Sequence, residues 1–166
     1  MAEKQILGER EREQWLWFHE NAYQDDLKIA EKLLVESPRW SIISGYYAMH
    51  DITKLYLGKI KGWKVSGSFV HSRVIELLEE SLKEYPRKQE IICLLREAEK
   101  EIKEVLRIEE KTIVKLLRTG KSERGKAQYY SEKSEREMFN INFSRKSTYF
   151  FEKIVKPYTK IIRGLL

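Results

Sequence analysis

From Pro38 to Leu57 the apolar residues come in adjacent pairs and runs: Ile42-Ile43, Tyr46-Tyr47, then Met49, Ile52 and Leu55 to Leu57. A helix packed on one side carries a single apolar stripe, and this pattern covers far more of the circumference. The segment therefore reads as a helix with neighbours on several sides, the central rod of a bundle. Gly45, Ala48 and Gly58 are small and allow those neighbours to approach closely. Ser37 suits the N-cap of this helix and Pro38 its first position.

The rest of the chain supplies the surrounding helices. Its 166 residues hold three prolines and eight glycines, too few turn signals for a sandwich or barrel. Helical spacing predicts a first helix from about Glu9 to Asn21 and a second from Gln24 to Glu36, where Leu27, Ala30, Leu33 and Leu34 fall in register. Trp15, Leu16, Trp17 and Phe18 are consecutive and cannot share one face; either neighbouring helices cover them all or some meet a partner chain. Gly58 to Phe69 reads as a loop, and His71 to Lys83 as a fourth helix built on Val74, Leu77, Leu78 and Leu82. Arg87 to Arg118 is the longest periodic stretch, either one bent helix or two. A second loop, Thr119 to Ser131, precedes a final helix starting near Ser134, where Ser134 and Glu137 have capping-box spacing. There Phe139, Phe143, Phe150 and Ile154 share a face, and Pro157 kinks or ends the helix. The expectation is all-α: one domain over 1–166, an up-and-down bundle of five or six helices, with an aromatic N-terminal helix in 1–23 and the core bundle in 24–166.

Several classes of function are disfavoured. Cys93 is the single cysteine, so no internal disulfide or C-x-x-C site forms. No signal peptide and no run long enough to span a membrane is present, which predicts a cytoplasmic protein without a membrane partner. His19, His50 and His71 form no H-E-x-x-H or Glu-x-x-His pair, so neither a metal nor another cofactor is expected. Gly120-Lys121-Ser122 looks like the end of a phosphate loop, but Lys115 stands where its first glycine would be.

The formal net charge is +6, which permits attraction to a polyanion. Two glycine-containing loops concentrate it. The first has Lys59, Lys61 and Lys64 around Trp63. The second has Arg118, Lys121, Arg124 and Lys126 beside Tyr129 and Tyr130. Cations fix phosphates and aromatic rings stack bases; a plain solvated loop has a similar composition.

Three spaced segments together resemble the HEPN family, helical domains of higher eukaryotes and prokaryotes. Ser44-Gly45-Tyr46-Tyr47-Ala48-Met49-His50 is similar to the family's "YYAMFH" helix. His71-Ser72-Arg73-Val74-Ile75 is similar to its "HxGVI" helix start, and Arg124-Gly125-Lys126-Ala127-Gln128-Tyr129 to its "R-x-x-A-D-Y" segment. The likeness extends from about Leu27 to Leu166. The sequence departs from it in having His50 where Phe is frequent and Gln128 where Asp is usual.

The resemblance implies an up-and-down helical bundle, frequently a homodimer, working beside a small nucleotidyltransferase in toxin–antitoxin pairs. Many members are metal-independent ribonucleases using an Arg-x4–6-His motif. Here the corresponding Arg124 is followed by Tyr129 and no His, and tyrosine is a poor base at neutral pH. Arg12 and His19 match the spacing but lie in the first helix, where the family does not put the motif. No catalytic residue is therefore assigned. The resemblance implies instead that nucleotide or RNA is bound, with Arg124, Lys121 and Lys126 on phosphate, Tyr129 stacking or hydrogen-bonding, and His50 lining the cleft.

Overall fold

The structure, a computed structural model, describes residues 3–67, 70–122, 143 and 145–166. Its helices are α1 (Glu9–Lys32), α2 (Pro38–Lys61), α3 (Val70–Ser81), α4 (Lys88–Ser122) and α5 (Lys156–Arg163), the last entered through a π-helical segment, Phe150–Val155. Two short strands, β1 (Glu3–Ile6) and β2 (Trp63–Ser66), pair antiparallel with Glu3 opposite Ser66 and Ile6 opposite Trp63. The protein is an all-α helical bundle. No helix among the described residues is long and apolar enough to cross a membrane.

Helix α2 is central, as its apolar width requires. It packs on α1, α3, α4, α5 and the π-helical segment. Ile42, Met49, Ile52 and Leu57 are fully buried along it, each worth roughly 1.5–3 kcal/mol relative to exposure. Ser37 occupies its N-cap without a side-chain hydrogen bond, and Pro38 takes the first turn. Gly62 ends it at φ 68°, a left-handed position that glycine adopts without strain.

Two positions on α2 require the absence of a side chain. A Cβ on Gly45 would lie 2.9 Å from Val155 Cγ2 and 3.2 Å from Phe150 Cε1. One on Gly58 would lie 2.9 Å from Trp15 Cδ1. The helix surfaces close on these two points.

The two helices expected over Glu9–Asn21 and Gln24–Glu36 are one continuous helix, α1. Its buried side runs through His19, Tyr23 and Ala30, an unbroken helical period in which one inward position is a histidine. The expected break at residues 22 and 23 is helical, and Tyr23 there is buried. The expected loop after Gly58 holds regular structure: α2 runs on to Lys61 and β2 follows. Val65 is its buried residue, and Leu7 N–H donates to Gly62 O at 2.8 Å. The strands tie the N-terminus to the end of α2.

The stretch after Arg87 is one helix in its backbone. Ile91, Leu95, Ala98, Ile102 and Val105 are buried in the predicted steps of four and three. Pro157 neither ends nor removes the last helix. It lacks the N–H that would bond Lys153 O, and the preceding turn is π-helical, the widened form that accommodates such a missing bond. Phe143, Phe150 and Ile154 are buried as expected. The expected loop Thr119–Ser131 is helical at its start, since α4 runs on to Ser122; its remainder from 123 to 131, Phe139 and the Ser134–Glu137 capping box lie outside the described residues.

Candidate functional site

The middle of α2 carries a row of ionisable and polar side chains inside an otherwise apolar bundle. Tyr46, His50 and Lys54 are four residues apart, so they rise along one face. Asp51 and Tyr47 flank them. His50 is fully buried and Asp51 is nearly so. A buried polar group is the informative kind of exception in a core, and here several occur together.

Helix α3 brings His71 to this row. The His50 and His71 rings meet edge to face with centroids 4.4 Å apart. Tyr46 packs edge-on against His50 at 4.5 Å and stacks on His71 at 5.4 Å with 29° between the planes. Tyr47, 46% exposed, lies 6.0 Å from His71 and carries the cluster to the surface. Neither nitrogen of His50, nor Nδ1 of His71, has a hydrogen-bond partner among the described residues. His50 and His71, on two of the three segments quoted above, are thus in ring contact.

Burial holds the His50 imidazole well below its usual value, and His71 and then Lys54 push it the same way. His71 is lowered by burial and Lys54, opposed by Glu99 and Asp51. Both rings are therefore neutral at pH 7. Burial also pushes the Tyr46 phenol up, with Glu99 and Tyr47 adding to the effect.

Helix α1 closes the other side. His19, buried, donates from Nδ1 to Asp51 Oδ1 at 2.8 Å. Its Nε2 has no partner among the described residues. Lys54 Nζ lies 3.6 Å from the same Asp51 oxygen. Asp26 is raised to about 6 by burial, then by Asp51 and Asp25. A carboxyl that titrates near neutrality and an imidazole oriented by a carboxylate are both able to move protons. Among the described residues, no group of three or more His, Cys, Asp and Glu is placed to hold a metal ion.

Of the residues expected to bind ligand, the structure places His50 inside this cluster. Lys121 lies in the last turn of α4, and Arg124, Lys126 and Tyr129 lie outside the described residues. In the first basic loop Trp63 and Lys64 are engaged. Lys4 Nζ sits 3.6 Å over the Trp63 ring, and Lys64 pairs with Glu11. Trp63 is thus covered on one face by a cation. Arg12 donates to Lys59 O at 2.8 Å, at the end of α2, while His19 serves Asp51. Their spacing in sequence does not make them a working pair.

Sequence reasoning missed His19, Asp26, Asp51, Lys54 and His71 as site residues. One signal was present: Tyr46, His50 and Lys54 repeat every four residues along a helix too apolar to tolerate them casually. Of the four consecutive apolar residues of α1, Trp17 and Phe18 are 68% and 57% exposed and line a shallow groove with Glu13 and Gln14, while Trp15 and Leu16 turn inward. Comparison with protein-family models, with curated protein sequences and with solved structures finds no match to this chain.

Proposed function

We propose that this chain is a HEPN-like helical protein that binds nucleotide or RNA without cleaving it, as a cytoplasmic homodimer working with a nucleotidyltransferase in a toxin–antitoxin-like pair. The observation that supports this reading is the ring contact between His50 and His71, which unites two of the three segments of the resemblance at one place. In this reading Arg124, Lys121 and Lys126 take the phosphates, with Arg able to grip one bidentately, and Tyr129 stacks or hydrogen-bonds. The test is calorimetric or fluorescence titration with nucleotides and short RNA at low salt. Binding that weakens in Arg124→Ala is the expected result. Absence of binding, or an Arg124→Ala affinity equal to wild type, removes the proposal.

A second reading, a metal-independent ribonuclease with an altered centre, is favoured by Asp26, whose carboxyl is raised to about 6, and by the Asp51-oriented His19. It requires RNA cleavage in the presence of chelator, abolished in His19→Ala. A third, a protein-interaction module, draws on exposed Trp17 and Phe18. It requires that the Trp17→Ser, Phe18→Ser double variant lose association; an unchanged mass in solution would remove it.

A further inference from the structure

We infer that the outward face of α1 docks antiparallel on the same face of a second copy, in a symmetric dimer whose centre lies between Trp17 and Phe18. This rests on the homodimer part of the reading above and deepens it by naming the surface, the register and the contacts.

The inner side of α1 is fixed. Trp15 and Leu16 close on α2 at Gly58, and His19 bonds Asp51. The outer side carries a row of exposed residues, Arg10, Gln14, Trp17, Phe18, Asn21 and Asp25. Their spacing keeps them on one face of the helix over about 22 Å. Trp17 and Phe18, 68% and 57% exposed, stand at its middle and line a shallow groove with Glu13 and Gln14. Two large rings side by side on an open helix face form an apolar patch of the kind that a partner covers.

The order of the row identifies the partner. Its steps are four, three, one, three and four residues, the same from either end. Between identical chains related by a two-fold axis, residue i meets j and j meets i. An antiparallel copy centred on the two rings therefore sets Trp17 against the partner's Phe18, Gln14 against the partner's Asn21, and Arg10 against the partner's Asp25, each twice. All three pairs are complementary. The rings offer edges and faces to one another. The Asn21 amide donates from Nδ2 to Trp17 O at 2.7 Å, and its carbonyl oxygen can accept from the partner's Gln14. Arg10 and Asp25 are opposite in sign. Within its own chain Asp25 meets Lys28 at 3.5 Å, with both groups about two-thirds exposed, a contact weak enough to yield. A parallel copy would instead set Arg10 on Arg10 and Asp25 on Asp25. One helix pair of this length is a small interface, so the dimer forms as concentration rises.

Sedimentation velocity of the full chain over a range of concentrations tests this with two charge reversals, Arg10→Glu and Asp25→Arg. Both positions are exposed, and circular dichroism checks that the variants fold. Wild type is expected to dimerise. Each variant alone sets like charges together twice and should self-associate at least about tenfold more weakly. An equimolar mixture of the two variants should recover the wild-type affinity, because both pairs in the mixed dimer are again opposite in sign. Reversals that leave the affinity unchanged, or a mixture no tighter than its components, overturn the inference; a dimer that persists in them leaves the homodimer reading standing on another surface. A wild-type chain that stays monomeric removes the homodimer as well, whether or not vesicles of anionic lipid then take the face. Nucleotide binding is read separately, by the titration above.

Discussion

Replacing His50 with leucine should make the protein more stable. His50 is fully buried and presents two ring nitrogens without a partner among the described residues. A buried group left unsatisfied costs about 1–3 kcal/mol. Leucine removes both nitrogens and keeps an apolar filling of similar size. It also forfeits the edge contacts to Tyr46 at 4.5 Å and His71 at 4.4 Å, an offset of about 0.5–1.5 kcal/mol. The expected net gain is about 1–2 kcal/mol at pH 7.5, or roughly 2–8 °C in Tm for a chain of this size. The gain should grow in acid. The unfolded His50 takes up a proton below its ordinary value of 6.5, whereas the folded ring, held lower, does not. Wild type therefore loses stability as pH falls through that value, at up to about 1.4 kcal/mol per pH unit for each such proton. The variant lacks this contribution, so the difference between the two should widen from pH 7.5 to 5.5. Urea unfolding followed by tryptophan fluorescence at both pH values measures it. A variant that is less stable than wild type by 1 kcal/mol or more, in the sense of roughly the whole expected gain reversed, would refute the reasoning. A difference that does not change with pH would refute it too.

Gly45→Ala should destabilise by about 1–3 kcal/mol through overpacking against Val155 and Phe150, although alanine elsewhere in a helix gains up to about 1 kcal/mol over glycine; thermal unfolding reads the sign directly. Asp26→Asn should stabilise at pH 7 by no more than about 1 kcal/mol, since the group is partly exposed and screened by solvent. The carboxyl is raised from 3.8 to about 6, so the cost of its charge is complete above pH 6 and shrinks as pH falls towards 3.8; denaturant midpoints of variant and wild type should converge by about pH 4. Asp51→Asn and His19→Ala should each destabilise, and their double-mutant cycle should return a coupling of about 0.5–3 kcal/mol for the 2.8 Å bond; additive effects would mean the bond contributes nothing.

The helical class and the central place of α2 follow from patterns that physics makes readable, because an apolar surface of that width has to be covered. The regular steps of α4 are readable for the same reason. The continuity of α1 was hidden at residues 22 and 23, where Asn21, Gln24, Asp25 and Asp26 surround the buried Tyr23 and leave no apolar run to read. The strand pair escaped because each strand has four residues, too few for a period to emerge, and its partner is remote in sequence. Within the site, His50 could be singled out from a resemblance. His71 as its contact, and His19, Asp26, Asp51 and Lys54 as its surroundings, depend on how α1, α2 and α3 lie side by side, which spacing along one helix does not encode.

Two neutral histidines meet at the heart of the bundle. Side-chain ¹⁵N NMR of the imidazoles across a pH titration tests this most directly. Both rings should keep the signature of a neutral imidazole through and below their ordinary value of 6.5, His50 more stubbornly than His71. Two rings that protonate freely near that value, each insensitive to substitution of the other, would contradict it.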